Sequence, residues 1–241
     1  MNKTTPFSIA VIYSILVIMI IASVYAVGVP TGYSNIINVT SWNGSDQTYG
    51  TTYTTSGGTI SYITVNITQQ NTRWKAYVGN VSGTLALQDG SNHSIYDWNL
   101  LIPTGELYAT RVNETINWNN IRCANATDIF NEQDNLSFTS AQEDNINKTF
   151  NYTQHSLFYT GSALLAQNSC FSTALHVNNT EQFTRFQEIL LSDGQGLVYA
   201  SIIENAQYGF NFQRYDFQMI VPDNATVTAA AVPYYFYVEI T

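Results

Sequence analysis

Charged side chains are scarce in this sequence. Lys and Arg number 8 in 241 residues, the formal net charge is −9, and charged residues make up 10% of the chain, against about 25% in an average soluble domain. Nucleic-acid binding requires a cluster of cations that neutralises several phosphates, so nucleic acid is excluded as an expected partner. Polarity comes instead from Asn, Thr, Ser, Gln and Tyr, which predicts a surface hydrated by neutral amides and hydroxyls.

Sequence motifs for catalysis or metal binding are also missing. The histidines are His93, His155 and His176, and they lack the close spacing of a zinc site. The sequence has no Gly-x-Ser-x-Gly motif and no phosphate-binding glycine loop. We therefore predict no enzyme, with no catalytic residue, no metal and no cofactor.

Two carbohydrate-related alternatives stay open. Paired carboxylates hydrolyse glycosidic bonds, and their separation cannot be read from a sequence. The candidate acids are Asp97, Glu106, Glu181, Glu188 and Glu204, and the candidate sugar-binding rings are Trp74, Trp98 and Trp118. Packing in a core is the commoner role of such rings.

Cysteine is limited to Cys123 and Cys170. In an exported chain, a single pair predicts a disulfide bond. Closing this loop of 47 residues stabilises the fold by about 4 kcal/mol in the chain-entropy model.

Export is predicted by the uncharged apolar segment 7–29, which follows Lys3. Its length favours a membrane-spanning helix, whereas the small residues before and at Ala26 favour a signal peptide cleaved after that residue. Both readings place the N-terminus on the cytoplasmic side and the rest of the chain outside the cell, in the medium or on the cell surface.

N-glycosylation signals run through the exported part. Twelve Asn-x-Ser/Thr sequons follow the apolar segment, at Asn38, Asn43, Asn66, Asn80, Asn92, Asn113, Asn125, Asn135, Asn147, Asn151, Asn178 and Asn224. Composition alone produces some of them, and Asn is also a common turn residue. Their spread nevertheless predicts glycans on several surface loops.

Alternation of apolar and polar residues predicts β-strands in the first half. It is clearest in residues 60–68, where Ile63, Val65 and Ile67 share one face, and it continues in 73–79. Residues 85–100 predict a hairpin that turns at Asp89-Gly90. We therefore expect an antiparallel meander over 58–112.

The C-terminal third predicts further strands. Residues 188–202 contain two apolar runs around Asp193-Gly194 and read as a hairpin, and 217–221 and 234–240 also alternate. Only 180–188 offers a modest helical alternative. The stretch 124–155 is instead polar and reads as long loops.

The polar stretch contains five carboxylates, at Asp128, Glu132, Asp134, Glu143 and Asp144. Calcium prefers such oxygen ligands, but no EF-hand pattern is present. A solvated acidic loop is the favoured interpretation.

These observations predict an all-β fold, an antiparallel β-sandwich preceded by an apolar N-terminal helix or signal segment. The expected divisions are the signal or anchor at 1–29, a Gly/Ser/Thr-rich stalk or donor-strand segment at 30–57, and the β-sandwich ectodomain at 58–241.

The chain resembles archaeal cell-surface glycoproteins and filament subunits. The resemblance is one of composition and layout, seen in 74–83, 96–98 and 215–222. It implies a structural role and transfers no functional residues. Type IV pilins share the plan, but Gly28 and Pro30 would break their continuous helix here.

The expected function is therefore a non-enzymatic, structural glycoprotein of the cell surface that assembles with itself or with other envelope proteins. Residues 7–29 would contact the membrane if they are not cleaved. Secreted carbohydrate binding is the alternative, and glycoside hydrolysis ranks below it. Assembly could use 27–41 as a strand donated to a neighbouring copy, although 33–40 is more simply the first strand of its own domain.

Overall fold

The structure is a computed structural model. It describes residues 30–32, 39–44, 52, 54–112, 116–226 and 230–240. The predicted signal or anchor at 7–29 lies outside these residues, as do the sequons at Asn38 and Asn113. No helix within the described ranges has the length and hydropathy needed to span a membrane.

The described chain is mostly β-structure with antiparallel pairing. Its strands are β1 Thr31–Gly32, β2 Trp74–Gly79, β3 Thr84–Gln88, β4 Ser94–Asn99, β5 Gly105–Thr110, β6 Arg122–Cys123, β7 Phe158–Thr160, β8 Ala163–Leu165, β9 Ser172–Thr173, β10 Leu175–Val177, β11 Thr180–Gln182, β12 Glu188–Ser192, β13 Leu197–Ile203, β14 Gln207–Tyr208, β15 Arg214–Tyr215, β16 Phe217–Pro222 and β17 Tyr235–Ile240. Helix α1 is Ala126–Asn135 and helix α2 is Ile146–Thr149. A 3₁₀ turn covers Trp118–Asn120.

A seven-stranded sheet forms the centre. Its strand order is β1-β17-β5-β13-β12-β6, and β9 also pairs with β12. The middle strand β5 is buried at every position and β13 at all but one. Strands buried on both faces require apolar residues in consecutive positions, which explains the run Leu197-Val198-Tyr199-Ala200.

Two apolar clusters cover the two faces of this sheet. Leu107, Ala109 and Tyr199 belong to one cluster, whereas Tyr108 and Val198 belong to the other. Successive side chains of a strand point to opposite faces, so one strand supplies both clusters. Strands β2 and β16 and helix α1 cover the first face; residues 116–121 and the β7–β8 hairpin cover the second.

Several predicted strands are confirmed. The hairpin at 188–202 is β12–β13, and Asp193 fixes its turn by accepting the backbone N–H groups of Gln195 and Gly196 on Oδ1, at 2.9 and 3.1 Å. The predicted strands at 73–79, 217–221 and 234–240 correspond to β2, β16 and β17.

The meander over 58–112 is wrong. Only β3 and β4 pair locally; β2 pairs with β16, and β5 lies between β13 and β17. Residues 60–68 form no strand at all. Alternation identifies a segment suited to a strand, but the partner comes from a distant part of the chain, which a local pattern does not specify.

The prediction of loops over 124–155 is also wrong, because this stretch contains α1 and α2. Helix α1 begins with a capping box: Asn125 Oδ1 accepts the N–H of Asp128, and Asp128 Oδ2 accepts the N–H of Asn125. Ile129 is fully buried. Residues 180–188, the helical alternative, hold β11 and the first residue of β12.

The segment proposed as a donated strand is described only in part. Thr31 and Gly32 pair with Val238 and Tyr237 of β17 in the same chain. Residues 33–38 lie outside the described ranges. Thr31 and Gly32 thus pair within their own chain, residues 39 and 40 are in no strand, and the reading of 33–40 as a first strand stays a prediction.

Candidate functional site

The least expected feature is a strand-like segment that has no strand partner among the described residues. We call residues 60–68 the unpaired segment. Its large apolar side chains are Ile60, Tyr62, Ile63, Val65 and Ile67, and their exposed fractions run from 57% to 101%. The segment joins the body of the protein through Asn71 and Arg73, whose side chains both donate hydrogen bonds to Asp144.

A second exposed element follows in the sequence. Strands β3 and β4 form a separate two-stranded sheet, here called the ribbon, in which every residue is exposed. Leu85 opposes Trp98 and Leu87 opposes Tyr96, so these four side chains form one apolar face. Their exposed fractions lie between 49% and 60%.

The turn of the ribbon is held by Asp89. Its Oδ1 accepts the backbone N–H groups of Ser91 and His93 at 2.8 and 2.9 Å. The hydrogen bonds from His93, followed by that from Ser91, hold the pKa of Asp89 below its usual range. A fixed turn keeps the register of the ribbon although neither of its faces is buried.

The sequons are placed mainly at the surface. The asparagines at exposed positions are Asn43, Asn66, Asn80, Asn92, Asn125, Asn135, Asn147 and Asn151, while Asn178 and Asn224 are half-buried. The amide oxygen of Asn125 caps α1. The cap does not use the amide nitrogen, which is the atom to which a glycan is attached. Occupancy of the sequons stays a prediction.

The structure contains the predicted Cys123–Cys170 disulfide. Cys123 is the last residue of β6, and Cys170 lies just before β9. Both of these short strands pair with β12, so the bond connects two short strands at one edge of the central sheet.

The acidic residues of 128–144 are mostly paired with cations. Asp128 pairs with Arg122 at 2.7 Å, Glu132 with Arg111 at 2.6 Å, Glu143 with Lys148 at 2.8 Å and Asp144 with Arg73 at 3.1 Å. The interpretation as a loop is wrong for Asp128, Glu132 and Asp134, which lie on α1, and Glu132 is buried, whereas the Glu143 side chain is 90% exposed to solvent. Among the described residues no group of three or more metal-ligating side chains is found.

Two buried glutamates lie side by side in the central sheet. Glu106 of β5 is the register partner of Glu239 of β17, and their exposed fractions are 7% and 3%. Glu239 accepts hydrogen bonds from the Tyr108 hydroxyl at 3.1 Å and from the Gly161 N–H at 3.0 Å. Glu106 Oε2 is buried and has no hydrogen-bond partner in the part of the chain that the structure describes.

The different surroundings of the two glutamates set their protonation. Burial and the neighbouring Glu239 carboxylate raise the pKa of Glu106 to about 8. Burial also raises the pKa of Glu239, but its hydrogen bonds from Gly161 and Tyr108 oppose the shift. At neutral pH Glu106 therefore holds the proton and Glu239 is the better anion.

The structure does not bring the five candidate acids together. Glu188 is fully buried and accepts the N–H of Ile220, Glu204 pairs with Arg185, and Glu181 and Asp97 lie on exposed strands. The acid beside Glu106 is Glu239, which the sequence analysis did not select. Its position opposite Glu106 depends on a pairing between distant strands.

The candidate tryptophans and the histidines are also not brought together in one site. Trp118 is buried, Trp74 packs against Phe138 and Phe150, and only Trp98 is largely exposed. His155 is buried, and its Nε2 accepts the N–H of Cys170 at 2.9 Å. His93 belongs to the exposed turn of the ribbon, and His176 is exposed on β10.

No protein-family model, curated protein or solved structure matches this chain.

Proposed function

We propose that this protein is a structural glycoprotein of the cell surface, that its folded region is a β-sandwich, and that it assembles with further copies of itself. The observation that carries the proposal is the concentration of exposed apolar side chains in one part of the chain. Of 22 large apolar side chains that are exposed among the described residues, twelve lie between 60 and 102.

So many exposed apolar side chains in one part of the chain are unusual for a protein that stays monomeric. Contiguous apolar patches on a monomer rarely exceed a few hundred Å², and larger ones mark interaction sites. A two-stranded ribbon is at best marginally stable in water, and an unpaired strand leaves its backbone groups without a ladder. Association would cover the apolar side chains and complete the ladder.

Composition supports the location and the type of partner. The unpaired segment contains no charged residue, and charge is one of the devices that prevent association at strand edges. The sequons and the disulfide suit an extracellular protein. Packing of β16 against β13 of the central sheet supports the sandwich description.

Assembly is tested on the full glycosylated chain purified in mild detergent. Sedimentation velocity and electron microscopy over a range of protein concentrations should show oligomers or filaments that grow with concentration. A strictly monomeric protein at every concentration would refute self-assembly.

Carbohydrate binding is the second candidate. Tyr96 and Trp98 are exposed, with ring centroids 4.8 Å apart, and aromatic rings provide flat apolar area for a sugar. The Trp98→Ala variant should then lose saturable binding to a glycan panel. Absence of binding by the wild-type protein would exclude this candidate and leave assembly unaffected.

A further inference from the structure

From the charge pattern of the ribbon, we infer that the unpaired segment of one copy adds as a third strand to β3 of a second copy, so that subunits join head to tail. This inference rests on the proposed self-assembly and specifies the contact. The donor is residues 60–68, and the acceptor is the outer edge of Thr84–Gln88.

The choice of edge follows from charge. β3 contains no charged residue, whereas β4 contains Asp97. A charged residue on an edge strand opposes the addition of another strand. Among the described residues no strand other than β4 pairs with β3, so β3 is the unprotected edge.

Backbone geometry supplies bonds for a third strand. The Leu100 N–H donates to Gly83 O, so these two residues form a hydrogen-bonded pair between the strands. Along an antiparallel ladder, hydrogen-bonded pairs alternate with pairs whose backbone groups point outward. The backbone N–H and C=O groups of Thr84 and Ala86 therefore point away from β4. They are available to a strand that lies alongside β3.

The side chains of donor and acceptor also match in type. Ile63, Val65 and Ile67 share one face of an extended strand, and they would extend the apolar face formed by Leu85 and Leu87. The opposite face of the donor carries the exposed sequon residue Asn66. A glycan on Asn66 would thus leave the apolar face free.

The area is sufficient for a specific contact. A buried branched or aromatic side chain removes roughly 60–120 Å² of apolar surface, and the apolar face of the unpaired segment and the ribbon face together offer seven such side chains. With the backbone, the total approaches ~1,200 Å², the lower end of the range for stable interfaces. Residue 68 lies only three positions before Asn71, which is bonded to the body of the donor copy, so this body lies within about 10 Å of the end of the added strand. It can therefore cover the apolar face of the acceptor's ribbon.

Two variants separate the donor from the acceptor. Val65→Asp places a charge on the apolar face of the donor and leaves β3 intact. Ala86→Pro removes an outward N–H from β3 and leaves the donor intact. Matched controls are Val65→Ile, which keeps an apolar β-branched side chain at the same donor position, and Ala86→Ser, which keeps the N–H.

The full chain of each variant is studied by sedimentation velocity, with formation of the Cys123–Cys170 bond as the check of folding. Each variant alone should remain monomeric at a concentration at which wild type and both controls assemble. An equimolar mixture of the two variants should give dimers and nothing longer, because only one productive contact is possible.

Three results would overturn the inference. If either variant assembles alone as wild type does, this contact is wrong although self-assembly stands. If the mixture stays monomeric while wild type assembles, head-to-tail addition is wrong, and pairing of the segment with its own ribbon would give this result. If wild type is monomeric throughout, both the contact and the proposed function are wrong.

Discussion

Replacing Glu106 by glutamine should change how the stability of the protein depends on pH. The pKa of Glu106 is raised from 4.5 to about 8 by burial and by Glu239. Between these two values the folded protein holds a proton that the unfolded chain has released. Unfolding then releases a proton, so the free energy of unfolding falls as the pH rises.

The size of this effect follows from the shift. One pKa unit corresponds to 1.36 kcal/mol, so the raised pKa of Glu106 destabilises the fold by at most about 5 kcal/mol above pH 8. The contribution is absent below about 4.5, grows through the window between, and becomes constant above about 8. We expect roughly 2–5 kcal/mol after relaxation around the charged group.

Urea denaturation of wild type and Glu106→Gln at intervals from pH 4 to 9 measures this difference. The variant should gain stability relative to wild type as the pH rises, and the two curves should run parallel below pH 4.5. Glu181→Gln, which alters an exposed acid on β11, is the control and should follow wild type. A constant difference between Glu106→Gln and wild type across the range would refute the proposed protonation of Glu106.

Three further substitutions test other parts of the fold. Gly105→Ala should destabilise the protein by roughly 2–4 kcal/mol, because Gly105 has φ +127° and an added Cβ would overlap the Glu239 carbonyl. The control Gly90→Ala, at a position with open space around it, should change the denaturation midpoint little. Arg111→Met should cost about 2–4 kcal/mol, since it leaves the buried Glu132 carboxylate unpaired, and Lys148→Met at an exposed pair should cost under about 0.5 kcal/mol. Replacing both cysteines of the disulfide by serine should lower the free energy of unfolding by about 4 kcal/mol; a loss under 1 kcal/mol would contradict its structural role.

Sequence reasoning succeeded where the information was local. The β12–β13 hairpin follows from two apolar runs around Asp193-Gly194, whose turn needs the positive φ of Gly194. The Cys123–Cys170 bond follows from there being one pair of cysteines in a chain whose sequence predicts export. In both cases neighbouring residues or simple counting limit the outcome.

The missed features have two different causes. Helix α1 was hidden by its polar composition, but Asn125 and Asp128 carry a capping-box pattern that could have revealed it. The Glu106–Glu239 pair could not be found in this way, because it depends on β17 pairing with β5 from the far end of the chain. Non-local pairing is set by the packing of the whole core and not by a local pattern.

The surface and the interior of this protein respond differently to pH. Its surface is hydrated largely by neutral groups, but its core holds Glu106 and Glu188, and burial raises the pKa of each. Below about 4.5 both acids are neutral in the folded and the unfolded chain, and they destabilise the fold as the pH rises above that value. Asp128 acts in the opposite sense, because Arg122 lowers its pKa from 3.8, so its contribution is present above 3.8 and is lost as the pH falls. The buried glutamates therefore lower the stability as the pH rises above 4.5, whereas Asp128 lowers it as the pH falls below 3.8.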